Sequence, residues 1–467
     1  MERFVQIVDS LANFIWGFPM IILVLCGGGY LIYMTQGWVF RNFAYILKNT
    51  FGKFFAKGEK SGASISPVQA MATALAGTIG AGNIVGVATA IKFGGPGAIF
   101  WIWVAAIFSM TTKFAEVVLA VATRDRNEDG EFSGGPMYYL SNGLGQRGLA
   151  MIFAGLGAVA ILGTGALVQS NAMANATFNM TGIDLRIIGF VIMLVLVLII
   201  IGGIKRIGAF AERIVPIMTV LYLGGAIIVL IINRKAIPGA FGLIFAEAFN
   251  PSAVAGGSLL LTIRHGFARG IFSNEAGLGT APMAHAAADT DHPVRQGLWG
   301  AVEVFISSII ICTTTALVIL TSGYWNDAAV DANSLPAMAF GSAIPSLGNI
   351  IVSLAIMLFA FTTLVSWYYY GDKCISYITK SKGIRNIYKL IYIIFSLVGS
   401  LGGLRFVWVV SDLANALMAI PNFIGLILLA PVVVRITCDF NDSYKDTGKK
   451  GDYSWSFDNH WSEAFKN

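Results

Sequence analysis

Eleven apolar stretches, each long enough to cross a bilayer, follow one another along the chain with short polar intervals between them. A membrane-crossing helix needs about 20 mostly apolar residues. By that measure helices are predicted near 13–34, 67–91, 97–121, 149–172, 184–204, 208–232, 255–288, 296–321, 346–370, 386–402 and 406–434. Of the 467 residues 56% are hydrophobic and 12% are Asp, Glu, Lys or Arg, against roughly 25% charged in a soluble globular protein. A soluble enzyme of this length is excluded. The expectation is an all-α polytopic membrane protein with one transmembrane domain over 1–436 and a tail over 437–467. The net charge of +6 does not point to nucleic acid, because the basic residues sit in short loops and form no stripe with interleaved aromatics. Cys26, Cys312, Cys374 and Cys438 have neither disulfide-scaffold nor zinc-ligand spacing.

The same basic residues predict orientation. Arg41, Lys48, Lys53, Lys57 and Lys60 crowd the first loop, and alternate later loops hold Arg124, Arg126, Arg147, Lys205, Arg206, Arg213 and Arg295. Lys373, Lys380, Lys382, Arg385 and Lys389 fill another, and Arg435, Lys445, Lys449, Lys450 and Lys466 close the chain. About 22 of the 31 basic residues thus fall on one side, which the positive-inside rule makes cytoplasmic. With eleven spans the N-terminus is expected outside and the C-terminus inside. The first stretch lacks a basic leader and a small-residue cleavage site, so it reads as a retained helix.

After that extra helix (13–34), ten spans divide into five over 67–232 and five over 255–434. Each set opens with an apolar segment unusually rich in glycine: Gly77-Thr78-Ile79-Gly80-Ala81-Gly82-Asn83, and Gly270-Ile271-Phe272-Ser273-Asn274-Glu275-Ala276-Gly277-Leu278-Gly279. A further echo pairs Pro136-Met137-Tyr138-Tyr139-Leu140 with Pro336-Ala337-Met338-Ala339-Phe340. Five is an odd number, so the second set must be inverted relative to the first. Matched interruptions in an inverted repeat point to a transporter binding site near the bilayer midplane.

Hydrogen bonding gives the reason. An unwound backbone within hydrocarbon leaves N–H and C=O groups unsatisfied unless protein, substrate or an ion supplies partners. Freed N–H groups at a half-helix start suit a carboxylate, and freed carbonyls suit an ammonium group or a cation. A zwitterion with a sodium ion matches both ends. Glycines that only allow close helix packing are the rival reading.

The stretch Gly94-Gly95-Pro96-Gly97-Ala98-Ile99-Phe100-Trp101-Ile102-Trp103-Val104 resembles the signature of the alanine or glycine:cation symporters, the sodium:alanine symporter family. The segments Ala76–Asn83 and Gly270–Gly279 resemble that family's two broken helices, and the likeness runs over roughly residues 10 to 435. The signature carries Met at the place of Ile102 and Gly at that of Ser109, departures that leave the substrate range open. The resemblance implies a LeuT-type five-plus-five inverted repeat behind one extra helix. It also implies import of small neutral amino acids with sodium across the plasma membrane, with no other cofactor and no obligate protein partner.

Roles follow from that resemblance. The backbone of Thr78, Ile79, Gly80, Ala81 and Gly82 is expected to hold the substrate carboxylate, with Gln169, Phe272, Ser273, Asn274 and Trp367 as further substrate contacts. Gly77, Asn83, Glu275, Thr362 and Thr363 are the expected sodium-binding residues. Each has a plainer reading beside it. Asn83 and the threonines can bond only to neighbouring backbone, Phe272 can be packing, and Trp367 can anchor its helix at the interface. Glu275 can brace the unwound chain, although a carboxylate within a span normally faces a partner, water or a pathway. Thr164 and Asn171 are polar enough to face the bundle. Lys113 and Glu116 are spaced to pair along one helix. His265 and His285 lack a third ligand at metal spacing.

Three alternatives remain beside a sodium symporter. Proton coupling is the nearest, through Glu275 and Glu116. A channel is disfavoured by the absence of a filter-like repeat, and a membrane enzyme by the absence of a phosphate-binding loop, a zinc-binding pair or a nucleophile elbow.

Overall fold

In the computed structural model, which describes residues 2–51, 65–126, 130–250, 258–345, 347–402 and 405–443, the apolar stretches are helices. Lys53, Lys57, Lys60, Lys445, Lys449, Lys450 and Lys466 lie outside the described residues, as do the start of the 255–288 prediction and the tail beyond 443.

The chain begins earlier than predicted as helix. α1 (Glu2–Ile15) precedes α2 (Phe18–Met34), and the two form one 33-residue apolar span. In α1 the buried Val5, Val8, Ala12 and Ile15 recur at helical spacing between polar residues, so a ruler for continuous apolarity passes over it. α3 (Pro67–Thr78) and α4 (Val85–Gly94) are arms of one helix bent by 62°. Ser66 and Gln69 close a reciprocal capping box at its start. α5 (Ala98–Ala122), a hairpin of β1 (Asp125–Arg126) and β2 (Phe132–Ser133), α6 (Arg147–Thr181), α7 (Leu185–Ile200) and α8 (Gly203–Ile232) complete the first half.

α9 (Ile237–Glu247) leads to the second half. It contains α10 (Leu259–Asn274), α11 (Ala281–His285), α12 (Pro293–Ser322), α13 (Leu335–Ala343), α14 (Gly348–Ile378), α15 (Lys382–Ser400) and α16 (Arg405–Leu428). The order of elements repeats: an interrupted helix, a long helix, a short helical segment (136–143 or α13), then three more helices. α17 (Ala430–Ser443) follows, so the predicted tail is helical over its first residues.

Among the described residues, seven helices, with α1 and α2 taken together, are long and apolar enough to cross a bilayer, and α3 with α4 adds a bent pair. α7 is apolar but short. α15 carries Lys382, Arg385 and Lys389, and α10 carries Arg264, His265 and Arg269. Ile187, Phe190, Val191 and Leu194 on α7 point outward, the arrangement a hydrocarbon solvent favours.

α5 lies at the centre against α10 and α12, and every residue from Ser109 to Ala122 is buried. Glycine permits this approach. A Cβ on Gly300 would meet the Lys113 carbonyl oxygen at 3.1 Å, and one on Gly270 would meet the Ala105 Cβ at 3.1 Å. Gly270, expected within the second interruption, is therefore a helical packing residue.

Candidate functional site

The first interruption starts where α3 ends at Thr78. Ile79 and Gly80 leave helical geometry, a short 3-10 turn over Ala81–Asn83 follows, and α4 resumes at Val85. Asn83 stitches the turn. Its Oδ1 accepts from the Gly80 N–H at 3.0 Å, while its Nδ2 donates to Ser273 Oγ at 2.7 Å and to the Ser307 carbonyl at 3.3 Å. The side-chain amide of Asn83 thus ties the first break to α10.

The second interruption begins five residues later than predicted, at Glu275, because α10 stays helical through Asn274. Glu275, Gly277 and Gly279 all take positive φ (53°, 85° and 79°), conformations natural only for the glycines. Glu275 accepts from Thr280 Oγ1 at 2.6 Å and from Trp367 Nε1 at 2.9 Å. Glu116 Oε1 accepts from the Gly277 N–H at 3.0 Å and from Asn422 Nδ2 at 2.6 Å, and Asn422 Nδ2 also lies 2.8 Å from the Gly277 carbonyl.

Between the breaks lies a small cavity of about 10 Å³, room for a single water. Gly77, Thr78, Gly80, Gly82 and Asn83 form one wall, and Phe272, Glu275 and Leu278 the wall opposite. Thr164 and Gln169 from α6, Thr363 and Trp367 from α14, and Asn415 from α16 complete it. The glycines fit by necessity. A Cβ on Gly80 would stand 2.9 Å from Thr363 Oγ1, and one on Gly82 3.0 Å from the Phe272 ring. Thr363 Oγ1 lies 3.0 Å from the Ala76 carbonyl oxygen and 2.9 Å from that of Phe359. A hydroxyl has one proton, so it satisfies one of these carbonyls at a time, and three oxygens from two helices converge here.

Ten of the fifteen predicted site residues line this cavity and five do not. Ile79 is buried in an apolar cluster with Leu75 and Ile84. Ala81 starts the 3-10 turn and lies outside the lining. Ser273 faces Asn83 and Cys312, and Asn274 gives its amide to Ser308 and accepts from the Ala276 N–H. Thr362 bonds the Phe359 carbonyl and faces Met218 on α8. One reason covers Ser273, Asn274 and Thr362: successive helical residues point about 100° apart, so neighbours of Phe272 and Thr363 cannot share their face. Asn171 donates to the Gly399 carbonyl.

Beside the cavity is a buried charged network that the sequence did not single out. Thr78 donates to Glu303 of α12, which also accepts from His285 Nε2 at 3.0 Å and lies 3.7 Å from Lys113 Nζ. Gln296 Nε2 donates to His285 Nδ1 at 2.7 Å, an amide assignment that makes Nε2 the protonated nitrogen facing Glu303. Lys113 therefore faces Glu303 on another helix, and Glu116, expected to pair with Lys113, instead braces the second break. A Glu inside an apolar span was the available signal for Glu303, as it was for Glu275.

Residues 1–454 match the profile of the sodium:alanine symporter family. The chain belongs to that family. Among its relatives is the "Sodium/alanine symporter AgcS" of Methanococcus maripaludis, 43% identical over 96% of this chain and 99% of the relative. The "Probable sodium/glutamine symporter GlnT" of Bacillus subtilis is 35% identical over 95% of this chain and 92% of its own length. Among solved structures, MhsT in complex with L-phenylalanine superimposes with a TM-score of 0.55 at 13% identity, covering 81% of this chain and 99% of that one. As a member of the sodium:alanine symporter family, the protein is a multi-pass, cation-coupled amino-acid symporter with a LeuT-type fold, and not an enzyme.

Proposed function

We propose that the protein imports small neutral amino acids, alanine and glycine, with sodium across the plasma membrane by alternating access. The observation that carries this reading is the meeting of two interrupted helices at one small, partly polar cavity. Within the stretch from Thr78 to Gly82, the backbone N–H groups of Ala81 and Gly82 receive the substrate carboxylate, since those of Ile79 and Gly80 already donate to the Leu75 carbonyl and to Asn83 Oδ1. Gln169, whose Nε2 donates to the Thr164 carbonyl at 3.3 Å while its Oε1 has no partner among the described residues, accepts from the substrate ammonium. Phe272 and Trp367 close over the substrate. Sodium sits against the Ala76 and Phe359 carbonyls and Thr363 Oγ1, with Gly77 providing the close approach. Asn83 and Glu275 act on the ion through the shape of the two breaks, since their oxygens already accept hydrogen bonds.

The cavity is smaller than any amino acid, so loading requires its walls to part and reseal. Eleven spans, counting α7, α10 with α11, and α15, put the N-terminus outside and the C-terminus in the cytoplasm, the side to which most basic residues fall. One sodium moving down about 100 mV gains roughly 2.3 kcal/mol. A tenfold sodium gradient adds about 1.4 kcal/mol, together enough for a several-hundred-fold amino-acid gradient.

Labelled alanine uptake into proteoliposomes tests the proposal. An inward sodium gradient should drive accumulation and an equal potassium gradient should not. Accumulation that ignores sodium and collapses with the pH gradient would assign coupling to protons instead.

A further inference from the structure

Asn415 lies in the middle of α16, is fully buried, and lines the cavity between the two breaks. Neither its Nδ2 nor its Oδ1 has a hydrogen-bond partner among the described residues. Other asparagines within or at the start of helices here find partners, either on their own backbone, as Asn42, Asn49 and Asn175 do with the carbonyl four residues earlier at 2.9–3.0 Å, or on another helix, as Asn171, Asn274 and Asn422 do. Asn415 makes no such bond, and both of its polar atoms stay unmet in a residue that lines the site. Asparagine is also a poor residue for a helix interior, and a buried amide with both atoms unpaired is among the more costly things a core can hold. Around it, Asn83 and Glu275 have partners for both their polar atoms, Trp367 for its N–H, and Gln169 for its Nε2.

We propose that Asn415 is a specificity residue that, among the small neutral amino acids this site carries, favours one bearing a hydrogen-bonding side chain, serine foremost, over the alanine and glycine that it also admits. The inference rests on the reading of this cavity as the binding site of a small neutral amino-acid symporter. Every amino acid brings the same carboxylate and ammonium group, and the backbone of the first break with Gln169 Oε1 suffices for those. They cannot distinguish one substrate from another. Asn415 offers one donor and one acceptor more than that common core uses, and a hydroxyl, which both donates and accepts, answers both. The methyl group of alanine answers neither, and a site built to bond a hydroxyl discriminates strongly against the analogue that lacks it. Size argues for the smallest such side chain, because Phe272 and Trp367 wall a cavity of about 10 Å³ that already has to widen to admit any substrate.

The test is competition by unlabelled serine, alanine and glycine against labelled alanine uptake, in proteoliposomes with an inward sodium gradient. In the wild-type protein serine should half-inhibit at a concentration at least tenfold below alanine. Asn415→Ala should lower that serine-to-alanine preference tenfold or more, and Asn415→Ser, which returns a hydroxyl, should recover part of it. A wild-type preference at or below one overturns the proposal. So does an Asn415→Ala variant that weakens both substrates equally, since the amide would then be structural. If Asn415→Ala does not fold, thermal stabilisation of the purified wild-type protein decides: saturating serine must raise its melting temperature more than saturating alanine, and the reverse order overturns the inference. Uptake of none of the three amino acids under any sodium gradient would instead fail the broader reading of the site as a small neutral amino-acid carrier.

Discussion

At the first break the chain supplies most of its own hydrogen-bond partners, whereas the second is held by side chains from other helices. Gly80 gives its N–H to Asn83 three residues on, and no residue from Thr78 to Asn83 has positive φ. At the second break the N–H of Gly277 reaches Glu116 on α5, Asn422 on α16 braces both, and three positive-φ residues carry the chain through the turn. The difference separates two tasks. A break that closes on itself leaves a neighbouring carbonyl, that of Ala76, to the hydroxyl of Thr363 on another helix, the place proposed above for the ion. A break bolted to α5 and α16 is fixed relative to those helices, and Glu275 within it is tied by Trp367 to α14.

Substitutions can break or sharpen this contrast. The largest effect is expected at Gly277, where an added Cβ both violates φ 85° and drives into the Phe423 ring. Gly277→Ala should abolish uptake, measured against membrane-inserted protein by quantitative blot, and normal uptake would refute the proposed role of the second break. Glu116→Leu should come next. It strands the Gly277 N–H, at about 1–3 kcal/mol for a buried donor left unsatisfied, and leaves the Asn422 amide with only the Gly277 carbonyl to donate to, so the purified protein should melt earlier and transport little.

Gly80→Ala should be milder, near a tenfold loss of uptake rate. The backbone there is one any residue adopts, and only the Thr363 hydroxyl at 2.9 Å stands in the way. Equal damage from Gly80→Ala and Gly277→Ala would erase the distinction between the breaks. The smallest changes should come from the paired threonines. Thr363→Ala should raise the sodium concentration for half-maximal uptake about tenfold at saturating substrate, because a hydroxyl ligand is lost, while Thr362→Ala, facing Met218, should shift it less than twofold. A larger shift from Thr362 would move the ion site to the other face of α14.

Much of the site was legible in the sequence because it rests on residue types that a membrane interior rarely tolerates. Glycine clusters and a lone glutamate inside apolar spans mark a backbone that must leave the helix, and these pointed to Gly77, Gly80, Gly82 and Glu275. The same logic applied to α12 would have flagged Glu303, a single acid within the apolar run 297–306, whereas α16 carries Ser411, Asp412, Asn415 and Asn422, so there it marks the helix and not the residue. What the spacing could not supply was rotation. Whether Thr362 or Thr363 faces the break, and whether Phe272 or Ser273 does, depends on an angle of about 100° per residue and on where a helix stops. α10 runs to Asn274 because Gly270 serves packing against α5, a contact between residues far apart in the chain.

The sequence by itself determined that this is a helical membrane protein built as an extra helix and two similar halves, each opening on an interrupted helix, because long apolar runs in hydrocarbon must satisfy their own backbone. Only the tertiary structure decided which groups share the cavity and which brace it. It turned Glu116 from a partner of Lys113 into the anchor of the second break, joined Thr78 to Glu303, and left the amide of Asn415 facing the site unpaired. Hydrogen bonds across the bundle join residues hundreds of positions apart, 306 between Glu116 and Asn422 and 403 between Trp38 and Asn441, and no local pattern carries that information.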